Sequence, residues 1–265
     1  MSCLNFLGKM EKYQEEFTEL IAGAEGIFFA DDLKLKDGRP TPYFINMGVF
    51  GEKASLTNKL GKYYAAMIKE QIDKGMKIDI IFGPSYKGSA IAFTTAMALL
   101  QDHNIDLGVA YDRKEAKTHG EGSSAKDILV GAKIKEGDNI FIVDDVTSSM
   151  KTKYDMITKL QDVAKGENFK YNIVGIGLGV NREQTTPAYE NPEDIATLKV
   201  GEKGENAVED FSKKTNIPVF FVMGVREMVD YLFKNKIPIL VNNEKKPIDE
   251  STKAKFDDYL ETYGT

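Results

Sequence analysis

Ile140-Phe141-Ile142-Val143-Asp144-Asp145-Val146-Thr147-Ser148-Ser149 runs from an apolar tetrad through two adjacent carboxylates into hydroxyl side chains. Four consecutive apolar residues suit a central strand covered on both faces. In an open α/β sheet, ligands gather beyond the carboxyl ends of the strands, where these two acids emerge. A helix over about 151–163 follows, and backbone N–H groups at a helix N-terminus, helped by its dipole, bind phosphate. Strand, acid pair, hydroxyl-rich loop and helix together suit a sugar phosphate. The carboxylates would hold ribose hydroxyls directly or through Mg2+, and the loop would hold the 5-phosphate. This stretch alone leaves two alternatives open: an N-cap aspartate with a chance acidic neighbour, and a nucleotide-binding fold using the same crevice.

On the N-terminal side, Met10, Tyr13, Phe17, Leu20 and Ile21 recur at helical spacing and predict a helix over 9–24. Residues 27–46 read as a β-hairpin around the turn Lys36-Asp37-Gly38-Arg39-Pro40. Leu56, Leu60, Tyr63, Tyr64, Met67 and Ile68 form a second helical stripe. A strand over 78–82 stops at Gly83-Pro84, a helix spans roughly 89–100, and 107–111 is a further strand. Residues 113–126 are charged and rich in Gly and Ser, so they predict a long exposed loop, and loops of that kind tend to be functional. On the C-terminal side, 171–180 is a strand with three glycines, 183–206 yields no clear element, and a strand over 217–222 leads into a helix near 224–233. The stretch from about 241 to 265 reads as a polar extension with one helix over 251–259. Alternating strands and helices predict an α/β fold with a central, mostly parallel sheet. Without an internal repeat or linker, one domain over 1–265 is expected.

With 42% hydrophobic and 29% charged residues, the 265-residue chain can bury a sizeable core. The single cysteine, Cys3, cannot form an internal disulfide, which fits a reducing compartment. The N-terminus lacks a basic start and a long apolar stretch, so no secretory signal is expected. No run of about 18 apolar residues marks a membrane span, and a cytoplasmic location is expected. A net charge of −6 argues against a role in wrapping nucleic acid. Two histidines and one cysteine cannot build a Cys/His zinc site. A nicotinamide-dependent dehydrogenase fails because no G-x-G-x-x-G follows the first strand of a βα unit.

The stretch 140–152 resembles the phosphoribosyl pyrophosphate motif of type I phosphoribosyltransferases. Three further segments narrow the resemblance to the orotate phosphoribosyltransferase family. They are Lys36-Asp37-Gly38-Arg39-Pro40-Thr41-Pro42-Tyr43-Phe44-Ile45-Asn46, Phe82-Gly83-Pro84-Ser85-Tyr86-Lys87-Gly88, and Arg113-Lys114-Glu115-Ala116-Lys117-Thr118-His119-Gly120-Glu121-Gly122. The resemblance is good over about 12–182, weaker to about 235, and not seen in the tail. It implies a type I phosphoribosyltransferase-like fold, with a small hood from the N-terminal region and later segments over the parallel sheet. It implies transfer of the ribose 5-phosphate group of phosphoribosyl pyrophosphate to N1 of orotate, giving orotidine 5'-monophosphate and pyrophosphate, a step of UMP biosynthesis.

The resemblance also implies roles for residues. Lys117, His119, Asp144 and Asp145 would be catalytic. Phosphoribosyl pyrophosphate would be held by these four together with Lys36, Tyr86, Lys87, Arg113, Lys114, Val146, Thr147, Ser148, Ser149, Met150, Lys151 and Thr152. Orotate would meet Phe44, Ile45, Ser148 and Arg182, the last gripping its carboxylate with two hydrogen bonds. Mg2+ would be held mainly by substrate with Asp144 and Asp145 nearby. The partner would be a second copy of the chain, in a homodimer whose 113–122 loop reaches the neighbouring active site. Read without the family, Lys36 is a solvated turn lysine, Phe44 and Ile45 are core, and Arg182 is a surface arginine.

The match departs from the family in two places. The phosphate loop reads Ser149-Met150-Lys151-Thr152 where the family has a small residue, then Gly, then Thr; a glycine there permits close approach or positive φ. The expectation is that the loop keeps its shape and Lys151 adds a phosphate contact. Asn181 replaces the aspartate before the orotate arginine. Extra length falls in 183–210 and in the tail. A purine or uracil phosphoribosyltransferase would keep Asp144-Asp145 but would not need the 113–122 segment or Arg182. A non-catalytic phosphoribosyl pyrophosphate sensor is the other alternative, and Lys114, Lys117 and His119 argue for catalysis instead.

Overall fold

The computed structural model describes residues 10–113, 129–146, 150–167, 170–191 and 194–265. Its centre is β6 (Asn139–Val146), in which Ile140, Phe141, Ile142 and Val143 are all fully buried. β6 lies between β3 (Ile80–Gly83) and β7 (Asn172–Asn181), in a six-stranded sheet ordered β10-β7-β6-β3-β4-β5. β4 is Gly108–Asp112, β5 Leu129–Gly131 and β10 Val219–Gly224. Every neighbouring pair is parallel except β4 with β5.

Alternation along the strands divides the core in two. Ile81, Phe141, Val143 and Val180 face α2 (Ala54–Asp73) and α3 (Lys87–His103). Ile80, Phe82, Ile140, Ile142, Ile176 and Leu178 face the other way. There they meet Met156 and Leu160 of α4 (Lys151–Glu167) and Phe211 of α5 (Ala207–Thr215). The glycines of β7 have a steric reason. A Cβ on Gly177 would sit 2.5 Å from Met67 Cε and 2.8 Å from the Phe141 ring, so only glycine lets α2 and that ring close on the strand.

The hood is a second sheet, ordered β12-β11-β1-β2. β1 (Ile27–Lys34) and β2 (Pro40–Ile45) form the expected antiparallel hairpin, with Phe28 opposite Phe44 and Phe29 opposite Tyr43. β11 (Ile239–Val241) adds to β1 in parallel and β12 (Glu244–Lys246) pairs with β11. α1 (Lys12–Gly23) and α6 (Val225–Lys234) pack into the same core, close to the helices expected there.

Three expectations need correction. The strand expected at the apolar tetrad 140–143 continues to Val146, paired with β7: Asp144 stands opposite Leu178 and Val146 opposite Val180. The acid pair therefore closes the strand rather than following it. Second, 183–206 contains a two-stranded antiparallel sheet of β8 (Pro187–Tyr189) and β9 (Leu198–Lys203), and α5 follows behind an Asn206 cap. Third, the stretch from 241 is not merely a polar appendage. α7 (Glu250–Tyr263) buries Phe256, Tyr259, Leu260 and Tyr263, four positions at helical spacing, with Asp257, Asp258 and Glu261 exposed between them. The Phe256 ring lies 5.3 Å from Tyr43 and 6.1 Å from Phe29, so α7 closes the hood from outside. Among the described residues, no helix is long and apolar enough to cross a membrane.

Candidate active site

β6 delivers Asp144 and Asp145 half-buried at the carboxyl edge of the sheet. Each carboxylate is oriented by the backbone: Asp145 N–H donates to Asp144 Oδ1 at 2.9 Å, and Val146 N–H to Asp145 Oδ1 at 2.8 Å. Each also has an ammonium partner. Lys87 Nζ donates to Asp145 Oδ2 at 2.8 Å, and Lys153 Nζ to Asp144 Oδ2 at 2.6 Å. From below, the Tyr64 hydroxyl donates to the Asp144 carbonyl at 2.7 Å. Burial first, then the charges of Asp145 and Asp144, hold that phenol well above its ordinary value, so it stays a donor.

The turn after β3 carries Tyr86 and Lys87 to the same edge. Gly83 permits it, because a Cβ there would fall 2.0 Å from the Gly88 carbonyl oxygen. Asp112, buried at the end of β4, fastens the turn: its Oδ1 accepts from Ser85 N–H at 2.7 Å and its Oδ2 from Lys159 Nζ at 2.9 Å. Ser85 Oγ donates to the Asp112 carbonyl, and the Ser85–Tyr86 peptide is cis. Tyr86 is 70% exposed, and Arg113 stands half-buried where the chain leaves β4.

Met150 takes φ +57°, in the left-handed region that favours glycine, and its side chain is 1% exposed among Met156, Leu160 and their neighbours. Lys151 and Thr152 are exposed in the first turn of α4. Lys114, Lys117, His119, Thr147, Ser148 and Ser149 lie outside the described residues.

At the hood, Lys36 is exposed at the hairpin turn. Phe44 points outward at 36% exposure, 5.6 Å from the Phe28 ring, whereas the Ile45 side chain is buried in the core. Arg182 stands directly after β7. Its Nε and Nη2 are buried and have no hydrogen-bond partner among the described residues. Its guanidinium lies 5.5 Å from the Tyr43 ring centre, and the Tyr43 hydroxyl reaches the Arg182 carbonyl at 3.4 Å. Burial pushes the Tyr43 phenol up to about 12.

The structure thus brings together Lys87, Asp144, Asp145, Met150 and Lys151 at one strand edge, with Arg182 and Phe44 on the hood side. Sequence reasoning missed the residues that hold these in place: Tyr64, Asp112, Lys153, Tyr43 and the fully buried Arg39. Arg39 grips Asp37 Oδ2 through Nε at 3.1 Å and Nη2 at 2.7 Å, and donates to the Thr185 carbonyl at 2.7 Å, which fixes the turn carrying Lys36. For Lys153 a signal existed. It stands three and four residues before Met156 and Ile157, on the apolar stripe of α4.

No protein-family model matches the chain. It is 32% identical to an orotate phosphoribosyltransferase of Clostridium acetobutylicum over 255 residues, 96% of this chain and 99% of that protein. It is 34% identical to an orotate phosphoribosyltransferase of Saccharophagus degradans over 223 residues, 84% of this chain and 90% of that protein. The crystal structure of orotate phosphoribosyltransferase from Francisella tularensis superposes with a TM-score of 0.69 at 26% identity, covering 94% of this chain and all of that one. Alignment over 96% of the chain also corrects the expectation that the resemblance fades before the tail. With sequence and fold in agreement over nearly the full length, this chain is an enzyme of the orotate phosphoribosyltransferase family.

Proposed function

We propose that the chain joins orotate to the ribose of phosphoribosyl pyrophosphate and releases pyrophosphate, using the edge at Asp144-Asp145 for the sugar and Arg182 for the base. The observation that carries this reading is the Nε–Nη2 edge of Arg182, which has no hydrogen-bond partner among the described residues. A buried donor without an acceptor is costly, and this edge is the planar fork that matches a carboxylate. Orotate has a carboxylate, whereas uracil and the purine bases do not.

In the displacement, N1 of deprotonated orotate forms a bond to the anomeric carbon as the bond to the pyrophosphate oxygen breaks. The bonding electrons leave with pyrophosphate. Positive charge grows on the ribose and negative charge on the leaving group, so donors aimed at the latter lower the barrier. Lys87, Arg113, Lys114, Lys117 and His119 are those donors. Asp144 and Asp145 hold ribose hydroxyls and face the growing positive charge. Their hard oxygens also suit Mg2+ that would be held mainly by substrate phosphates with Asp144 and Asp145 nearby. Mg2+ supplies neutralisation of phosphate charge. Val146, Thr147, Ser148, Ser149, Met150, Lys151 and Thr152 wrap the 5-phosphate, Lys36 reaches the phosphates from the hood, and Phe44, Ile45 and Ser148 border orotate.

The partner is a second copy. Phe93, Met97 and Leu100 are exposed at helical spacing on α3, and Phe93 meets Tyr111 edge-on at 5.9 Å on the strand that leads into the 113–122 loop. An apolar stripe beside the root of that loop suits a dimer in which the loop crosses to the neighbour. A cytoplasmic setting fits the single cysteine.

The test is a mixture of purified protein, Mg2+, phosphoribosyl pyrophosphate and orotate, read by loss of orotate ultraviolet absorbance, with uracil, adenine, hypoxanthine and guanine in parallel. Turnover of orotate alone is expected. Turnover of another base would remove the orotate contacts from the reading.

A further inference from the structure

The two carboxylates of the acid pair have unequal partners. The side chain that pairs with Asp145, Lys87, is 60% exposed. The one that pairs with Asp144, Lys153, is 2% exposed, and among the described residues it is the only buried lysine. An exposed ammonium–carboxylate pair holds weakly and can exchange partners when a phosphate arrives. A buried pair does not exchange, because separating it strands a charge in a poorly solvated place.

An ammonium group has three donors, and three acceptors surround Lys153 Nζ. Asp144 Oδ2 lies at 2.6 Å, the Val146 carbonyl at 3.3 Å and Thr152 Oγ1 at 3.4 Å. Two of these precede residues 147–149 and the third follows them. Lys153 therefore ties the end of β6 to the first turn of α4, across the span read as the phosphate loop.

We propose that Lys153 is a positioning residue for the phosphoribosyl pyrophosphate site. It fixes Asp144 and both flanks of the loop, and it leaves Asp145 as the carboxylate that gives up its ammonium partner to the ligand. The proposal rests on the reading of 144–152 as the sugar-phosphate site. It also divides the acid pair. Asp144 acts from a fixed position, and Asp145 becomes available when pyrophosphate draws Lys87 away.

The experiment compares Lys153→Met, Lys153→Met/Asp144→Asn and Asp145→Asn in the full-length protein, with phosphoribosyl pyrophosphate affinity measured by calorimetry beside steady-state kinetics. Methionine keeps the length of the stem and removes the charge. For Lys153→Met, KM for phosphoribosyl pyrophosphate should rise about tenfold while KM for orotate stays within about twofold. The double variant no longer strands a buried charge, so its thermal midpoint should recover while the weak affinity persists. Unchanged KM for phosphoribosyl pyrophosphate in folded Lys153→Met would overturn the proposal, as would an equal rise in both KM values. Asp145→Asn with wild-type affinity would overturn it at its base instead, by removing the acid pair from the sugar-phosphate site.

Discussion

Arg182 makes the most direct claim of any single residue on the choice of base. Its Nε–Nη2 edge is buried and has no partner among the described residues, with Tyr43 beneath the guanidinium. A charge-assisted fork of this kind contributes about 2 kcal/mol, so Arg182→Ala should lower kcat/KM for orotate about thirtyfold. KM for phosphoribosyl pyrophosphate should hardly move. A variant that loses both substrates equally would show that Arg182 supports the hood rather than the base. Met150 poses the opposite kind of question, since its backbone sits at φ +57° and its side chain is buried. Left-handed backbone costs an L-residue about 1–2 kcal/mol, whereas deleting a buried methionine side chain costs about 2–5 kcal/mol. The second term is larger, so Met150→Gly should lower the thermal midpoint by about 5 °C despite the relaxed backbone. A rise in midpoint on a thermal melt would mean that strain dominates and packing does not. Residue 150 combines a left-handed backbone with a side chain packed in the core beside α4.

The C-terminal helix packs behind the segment that carries Arg182. Gln184 Nε2 donates to the Tyr259 hydroxyl at 2.6 Å and to the Tyr43 hydroxyl at 3.2 Å, and Tyr43 in turn underlies Arg182. The Tyr263 carbonyl accepts from Thr185 N–H at 2.8 Å, and Thr265 N–H donates to the Glu183 carbonyl at 3.0 Å. α7 is thus the wall behind the segment 182–185. Tyr259→Phe removes one buried hydrogen bond, about 1 kcal/mol, and should raise KM for orotate about fivefold with KM for phosphoribosyl pyrophosphate unchanged. A lower thermal midpoint with both KM values unmoved would restrict α7 to stability. How far such elements can be read from sequence follows from where their signals lie. The tetrad 140–143 and the hairpin turn at Lys36–Pro40 are local patterns, and both were legible. α5 buries only Ala207 and Phe211, too few apolar positions to show a period. β11 has three residues and its partner β1 is more than two hundred positions away; its local mark is the Asn242-Asn243 turn, both residues at positive φ, that folds it onto β12. Arg39 is a cation that the fold buries, and composition assigns such a side chain to solvent, whereas Lys153 is marked by its helical spacing to Met156 and Ile157.

At the scale of the whole molecule, each half of the site belongs to a different part of the chain, and the proposed dimer makes that division testable. The acid pair, the turn at Lys87 and Arg182 are assembled within one chain. The 113–122 segment follows β4, whose Tyr111 meets Phe93 on the flank where Phe93, Met97 and Leu100 stand exposed. If the loop serves the neighbouring subunit, a chain defective in the loop and a chain defective in the acid pair can rescue each other. Lys117→Ala and Asp145→Asn should each be nearly inactive as homodimers. Mixed after reversible dissociation, or co-expressed with distinct tags, they form heterodimers in which one site has both an intact acid pair and an intact loop from across the interface. Random pairing through a two-fold interface makes half the dimers mixed, each with one working site of two, so activity should return to about a quarter of wild type. A loop acting on its own subunit gives a different result, because every site in the mixture then lacks one half and activity stays at the level of the parents. Phe93→Glu supplies the control. A charge in the middle of the apolar stripe should yield monomers by sedimentation, and it should abolish the rescue while each chain remains folded.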